Sequence, residues 1–197
     1  MIYLFLAPGF EEVEALCPLD LLRRAGLAVT TVAITTPANI PSTESTVTGA
    51  HRITVQADMT EADLVRYLDA AGHDPSAIPI EAVILPGGMP GAAYLDASPV
   101  VNEILSLADA EGAFLAAICA APMILGKRGY LDGHRATCFP GFEKDLHGAT
   151  IGGKVIRDRR RITAAGMGVA QAFGLELISA LVSPAKAGEI AAAIQSL

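Results

Sequence analysis

The near-continuous apolar run at residues 2–7, stopped at once by Pro8-Gly9, constrains the fold more than any other feature of this chain. A strand without polar alternation is one buried on both faces, as in parallel sheets covered by helices on either side. The next segments repeat the theme. Residues 11–25 read as a helix, acidic in the first turn and carrying Arg23-Arg24 in the last, which matches the helix dipole. Pro18 is expected to kink this helix and Gly26 to close it. Residues 27–35, rich in β-branched side chains, read as a second strand and complete a βαβ unit.

Beyond it, the polar, proline-bearing stretch 36–45 reads as a loop, and 46–48 with 52–55 as a small hairpin joined through Gly49-Ala50. A helix is expected over 62–71, then a loop to Pro79. Residues 81–85 form the third core strand, ending in Pro86-Gly87-Gly88. Val100, Ile104, Leu107 and Ala108 repeat at helical spacing within a helix over 99–111. A fourth core strand over 114–118 leads into Cys119 and a short helix ending near Gly126. Residues 135–139 suggest a further strand, and 155–157 with 161–164 a hairpin about Asp158-Arg159. A mostly apolar helix over 169–182 follows, and Ser183-Pro184 opens a last helix running to the C-terminus. Alternating strands and helices give an α/β fold, a doubly wound, mostly parallel sheet sandwiched by helices, expected as a single domain over 1–197. In such sheets sites form beyond the carboxyl ends of the strands. The turns at 8–14, at Gly87-Gly88 and at Cys119 therefore gather on one edge.

Composition narrows the function classes. A net charge of −7 argues against a nucleic-acid or anionic-membrane surface. No apolar run approaches the about 20 residues of a membrane-spanning helix. The N-terminal run lacks the basic flank of a secretion signal. Three cysteines (Cys17, Cys119 and Cys138) point to free thiols in a reducing, cytoplasmic setting.

Cys119 has the best context for chemistry. Small neighbours in Ala116-Ala117-Ile118-Cys119-Ala120-Ala121-Pro122 permit a tight turn, and a thiol at a helix start favours the thiolate. This is the logic of a nucleophile elbow with sulfur in place of oxygen. The other reading is a small buried core cysteine. Glu14 is the candidate proton carrier. It shares a helix side with Cys17 and Leu21, and apolar surroundings raise a carboxyl pKa. It equally fits an ordinary first-turn acid, as Glu11 and Glu12 do. Gly87-Gly88 supplies either backbone N–H groups for an oxyanion or a plain turn, and the N–H of Ala120 is the candidate second donor. None of His51, His73, His134 and His147 falls in a site turn, and His134 reads as a solvated turn residue. No residue set has metal-ligand spacing, and no dinucleotide or phosphate-loop fingerprint is present. Cys17 and Cys138 read as structural thiols. Arg157, Arg159, Arg160 and Arg161 read as a solvated turn with local ion pairs.

Taken together, Pro8-Gly9-Phe10-Glu11-Glu12-Val13-Glu14, Asp20 to Gly26, Val83-Ile84-Leu85-Pro86-Gly87-Gly88, Ala116 to Pro122 and Thr163-Ala164-Ala165-Gly166-Met167-Gly168 resemble the ThiJ/PfpI superfamily and, within it, the DJ-one-like group. The resemblance implies a flavodoxin-like sandwich, usually a homodimer, with the reactive cysteine at Cys119, its partner glutamate at Glu14 and backbone donors at Gly88 and Ala120. It implies a cofactor-free enzyme acting on small α-oxoaldehydes, a glyoxalase III-like hydration of methylglyoxal or a deglycase. The alternative is a non-catalytic oxidation sensor or stress chaperone that uses the same cysteine. Gly87, Arg24, Phe139 and Gly166 are the expected lining of the substrate site, Arg24 also standing as a dimer contributor. Two departures narrow the subgroup. Several members place a histidine where this chain has Phe139, so a Cys–His pair is not expected. The protease-like branch has histidine directly after the cysteine, where Ala120 stands here.

Overall fold

The computed structural model describes residues 1–35 and 43–196; most of the loop expected over 36–45 lies outside the described residues. In chain order the elements are β1 (Ile2–Leu6), α1 (Glu12–Arg24), β2 (Val29–Ala33), β3 (Thr46–Thr48), β4 (Thr54–Gln56), β5 (Met59–Thr60), α2 (Glu61–Ala70), β6 (Ala82–Leu85), α3 (Gly91–Ala97), α4 (Pro99–Ala110), β7 (Phe114–Ile118), α5 (Pro122–Lys127), β8 (Arg135–Ala136), β9 (Thr150–Ile151), β10 (Val155–Asp158), β11 (Arg161–Ala164), α6 (Ala170–Leu181) and α7 (Pro184–Ala193).

Among the described residues, seven strands form the main sheet in the order β10-β11-β7-β6-β1-β2-β5, and only the β10–β11 pair is antiparallel. The period of two along each strand divides the core. Tyr3, Phe5, Val83, Leu85, Leu115 and Ala117 face the layer of α2, α3, α4 and α5. Ile2, Leu4, Leu6, Ile84, Ala116 and Ile118 face α1, α6 and α7. Every residue of β1 is buried, as a strand covered on both faces requires. This is the doubly wound, flavodoxin-like α/β sandwich expected from the sequence. The chain leaves β1 toward β2 on one side and returns to β6 on the other, so the turns after β1 and β6 open side by side at the switch point.

Several local expectations change. The helix α1 runs on through Pro18 as one element. The strand expected over 135–139 shrinks to the two residues of β8, which pair with β9. Beyond them the backbone bonds sideways: Thr137 N–H donates to the Thr163 hydroxyl at 2.9 Å, and Phe139 N–H donates to the Cys119 carbonyl at 2.7 Å. The helix α3 has no sequence signature, because Gly91 and two alanines carry no apolar period; Ser98 ends it and caps α4. The last helix stops at Ala193 rather than at the C-terminus. Among the described residues no helix is long and apolar enough to cross a membrane.

The hairpin β3–β4 lies outside the main sheet and covers the start of α1. Gly9 N–H donates to the Thr48 carbonyl at 2.9 Å and Ala50 N–H to the Phe10 carbonyl at 2.8 Å. The basic turn at 157–161 is more engaged than a solvated tip. Arg157 and Arg160 lie over the Phe114 ring at 5.6 and 5.3 Å, and Arg161 pairs with Asp109 while only 12% of its side chain is exposed.

Candidate active site

The strand β7 delivers Cys119 to the sheet edge. Cys119 N–H donates to the Ala164 carbonyl of β11 at 2.9 Å, so the residue is pinned to the neighbouring strand as the chain turns. Its φ of +64° is left-handed, a costly conformation for a residue with a Cβ and the geometry of a nucleophile elbow. The following helix α5 spans only Pro122–Lys127.

Glu14 arrives from the other side of the switch point. It lies in the first turn of α1, where the Glu11 carboxylate caps the helix by accepting the Glu14 N–H at 2.7 Å. The Glu14 side chain is 1% exposed and accepts the N–H of Gly87 at 3.0 Å. The Cys119 thiol and the backbone N–H of Met167 also face its carboxyl and work to lower its pKa. The sulfur in turn accepts from the backbone N–H groups of Gly88 and Ala120. Gly87 has no room for a side chain: a Cβ there would stand 2.6 Å from both the Cys119 Cβ and Glu14 Oε2. Gly88 adopts φ +86° and turns its N–H toward the sulfur, which suits glycine alone.

Electrostatics assign the protons. Burial raises the Glu14 carboxyl to about 7, even though Cys119, Gly87 and Met167 donate to it. Burial, reinforced by the neighbouring carboxylate, pushes the Cys119 thiol up to about 12 against the pull of the Gly88 and Ala120 N–H groups. Desolvation and the adjacent carboxylate therefore work against the thiolate expected from the helix start. A six-residue helix has too little dipole to offset desolvation and an adjacent anion. Above about pH 7 the pair carries one negative charge and one shared proton.

Of the other expected site residues, Gly166 and Phe139 join the cluster. A Cβ on Gly166 would stand 3.2 Å from Phe139 Cδ2 and 3.8 Å from Glu14 Oε1. Arg24 does not join it. It sits ten residues further along α1, about 15 Å from Glu14 by helical rise, exposed and bonded to Asp20 at 2.6 Å. Cys17, Cys119 and Cys138 are all free thiols. Burial raises the Cys138 thiol to about 11, and no partner like Glu14 attends it.

Sequence reasoning missed three features, one at the site and two outside it. The first is the Met167 N–H on Glu14, a backbone group that leaves no trace in side-chain pattern. The second is the pair formed by Glu12 and His51. Glu12 is 4% exposed, and its two oxygens meet the His51 N–H at 2.7 Å and His51 Nδ1 at 2.8 Å. Glu11, Glu12 and His51 also present three potential metal-ligand atoms within 4.8 Å of one another. The third is His134, expected in solvent yet only 13% exposed in its side chain and 3.6 Å from Asp158.

A flavodoxin-like sheet with a left-handed cysteine elbow facing a buried glutamate defines the class, and comparison with known proteins places it. The DJ-1/PfpI family model matches residues 1–180, and the chain belongs to that family. The zebrafish (Danio rerio) Parkinson disease protein 7 homolog is 30% identical over 191 residues, spanning 95% of this chain and 92% of the relative. The glutathione-independent glyoxalase DJR-1.2 of Caenorhabditis elegans is 31% identical over 128 residues, 62% of this chain and 66% of the relative. Among solved structures, oxidized Toxoplasma gondii DJ-1 superposes with a TM-score of 0.84 at 27% identity, covering 98% of this chain and 97% of that one.

Proposed function

We propose that this chain is a cofactor-independent cysteine enzyme that converts small α-oxoaldehydes such as methylglyoxal into 2-hydroxy acids. The observation that carries the reading is the packing of the Cys119 side chain against the buried Glu14 carboxyl at Gly87, whose N–H donates to that carboxyl at 3.0 Å and where an added Cβ would stand 2.6 Å from both. With the thiol raised and the carboxyl poised near neutrality, Glu14 acts first as the base. It takes the thiol proton as sulfur adds to the aldehyde carbon, giving a hemithioacetal. It then carries the proton from that carbon to its neighbour, and water releases the acid from the resulting thioester. The N–H groups of Gly88 and Ala120 already face the sulfur, within reach of an oxyanion forming on the attached carbon. The likeness to a glutathione-independent glyoxalase supports the substrate class. A deglycase would use the same thiol on glycated amines.

The test is lactate formation from methylglyoxal by purified protein. Activity is expected to rise with pH through about 7, as Glu14 loses its proton. Cys119→Ala and Glu14→Ala are expected to lose it by at least about a hundredfold. Equal rates for the wild type and both variants would overturn the mechanism. The second reading is an oxidation sensor that uses the same thiol; it is supported by the likeness to oxidized Toxoplasma gondii DJ-1, and stoichiometric oxygen addition at Cys119 under mild peroxide without turnover of glyoxals would favour it.

A further inference from the structure

The amino ends of β6, β7 and β11 carry two adjoining pockets, on the sheet edge opposite Cys119. The length of β7 separates them from the elbow, about 16 Å by strand rise. One pocket, of about 330 Å³, is lined by Asp109, Gly112, His134, Arg159, Arg160 and Arg161. The other, of about 270 Å³, has apolar walls of Ile80, Ala180 and Leu181, with Glu81 and Glu111 beside them. Gly112 and Arg160 belong to both.

The first pocket gathers three arginines and a histidine in a chain of net charge −7. Arg161 is occupied by Asp109 and by the Tyr130 carbonyl, to which its Nε–H donates at 2.9 Å. Arg160 lies over the Phe114 ring at 5.3 Å and, among the described residues, pairs with no carboxylate. His134 Nδ1 is buried without a hydrogen-bond partner among them, the Asp158 oxygen standing 3.6 Å away. Arg159 adopts φ +53° in the two-residue turn between Asp158 and Arg161, where a hairpin favours Gly, Asn or Asp. A guanidinium held at a strained position, a second without an anion and an imidazole nitrogen without a partner thus border one cavity. Guanidinium groups offer paired donors that match phosphate oxygens.

The second pocket defines the rest of the ligand. Glu111 is exposed and, among the described residues, forms no ion pair, not even with Arg160 in the same lining. Opposite charges that share a pocket without meeting suit a ligand with an anion at one end and hydrogen-bond donors at the other. A second phosphate would face Glu81 and Glu111, which argues against diphosphates and nucleic-acid strands. The apolar walls suit a flat ring. We infer that the two pockets form one site for a nucleoside monophosphate whose base carries an amino group. The phosphate meets Arg159 and Arg160 beside His134. The base lies against Ile80, Ala180 and Leu181, and its amino group donates to Glu111.

The experiment is calorimetry of the full chain with adenosine 5′-monophosphate, inosine 5′-monophosphate and inorganic phosphate. The adenosine nucleotide is expected to bind at least about tenfold tighter than phosphate, from burial of its base. Arg160→Gln should weaken it by about tenfold or more, as loss of a charge-assisted hydrogen bond does. Inosine carries a carbonyl where adenosine carries the amine, so the adenosine nucleotide should be preferred by roughly fivefold, and Glu111→Gln should erase that preference. Both residues are exposed, so the variants are expected to fold, and thermal melts check this. Should Arg160→Gln fail to fold, Arg159→Gln at the exposed turn makes the same test. Phosphate as tight as the adenosine nucleotide, nucleotide binding that is absent or survives the arginine substitution, or an adenosine-to-inosine ratio untouched by Glu111→Gln would each overturn the inference.

Discussion

Glu12 and Glu14 stand two residues apart in the first turn of α1, at 4% and 1% exposure, yet their environments drive them in opposite directions. Glu12 faces the β3–β4 hairpin. Burial alone would raise its carboxyl, but hydrogen bonds from the His51 side chain and from backbone N–H groups outweigh it and hold the pKa below the ordinary value. Glu14 faces the β6 and β7 turns. There burial dominates, because its donors are a thiol and two backbone N–H groups and no cation is among them. Similar surface exposure thus yields a structural carboxylate on one face and a proton carrier on the other: Glu14 lies deeper among the surrounding atoms, so desolvation raises it, while Glu12 lies shallower and its hydrogen bonds prevail. The two are also coupled through the backbone. The hairpin that satisfies Glu12 holds the entry turn of α1, and the Glu11 N–H in that turn donates to the Gly87 carbonyl at 2.9 Å, aligning Glu14 with the thiol.

The comparison can be broken most severely at Gly87. Gly87→Ala would drive a methyl to 2.6 Å from both the Cys119 Cβ and Glu14 Oε2 and to 3.0 Å from the Ile118 carbonyl, and neither the Cβ nor the backbone can swing aside. We expect a destabilisation of roughly 1–3 kcal/mol in urea titrations together with loss of turnover. A near-wild-type result would mean that the site is looser than the geometry states.

Glu14→Gln sharpens the contrast with the opposite sign. The folded pKa of Glu14 is raised, from 4.5 to about 7, so its favourable contribution is complete below about 4.5 and is lost as pH rises through about 7. The glutamine variant should therefore be more stable than wild type at pH 8, by about 1–3 kcal/mol, while losing activity. Its advantage should vanish near pH 4. Thermal melts across that range check this, and a variant less stable than wild type at pH 8 would contradict the assignment.

Glu12→Gln should behave in reverse and with a smaller effect. Its folded pKa is lowered, so its contribution is present above the ordinary 4.5 and is lost as pH falls through the folded value. His51 is raised, so its share is present below 6.5 and is lost as pH rises. The variant should lose about 1 kcal/mol near pH 6 and retain most of its turnover. Denaturant midpoints at pH 3, 6 and 9 separate these windows, and a penalty independent of pH would show that shape alone matters there.

How much of this is legible in the sequence depends on whether the signal is local. The run at 2–7, the elbow at 116–122 and the Gly87-Gly88 turn are local signals, so the sheet and its reactive edge can be read directly. Residue type draws Arg24 toward the site, although helical rise alone carries it some 15 Å from Glu14. Glu12 escapes notice because its partner lies 39 residues away, across a hairpin that only the fold docks onto the helix. The strand expected over 135–139 fails for the same reason, since distant groups capture its backbone donors.

By itself, then, the sequence determined the α/β sandwich and the meeting of Cys119, Glu14 and the Gly87-Gly88 turn on one edge. Apolar period and turn chemistry are properties of neighbours along the chain. The tertiary structure decided the electrostatics of the site: a thiol pushed up by burial and an adjacent carboxylate, a glutamate raised toward neutrality, and a second glutamate beside it whose hydrogen bonds hold its pKa down. Desolvation and hydrogen bonding depend on which groups the fold brings within about 3 Å of one another, and sequence proximity does not supply that information.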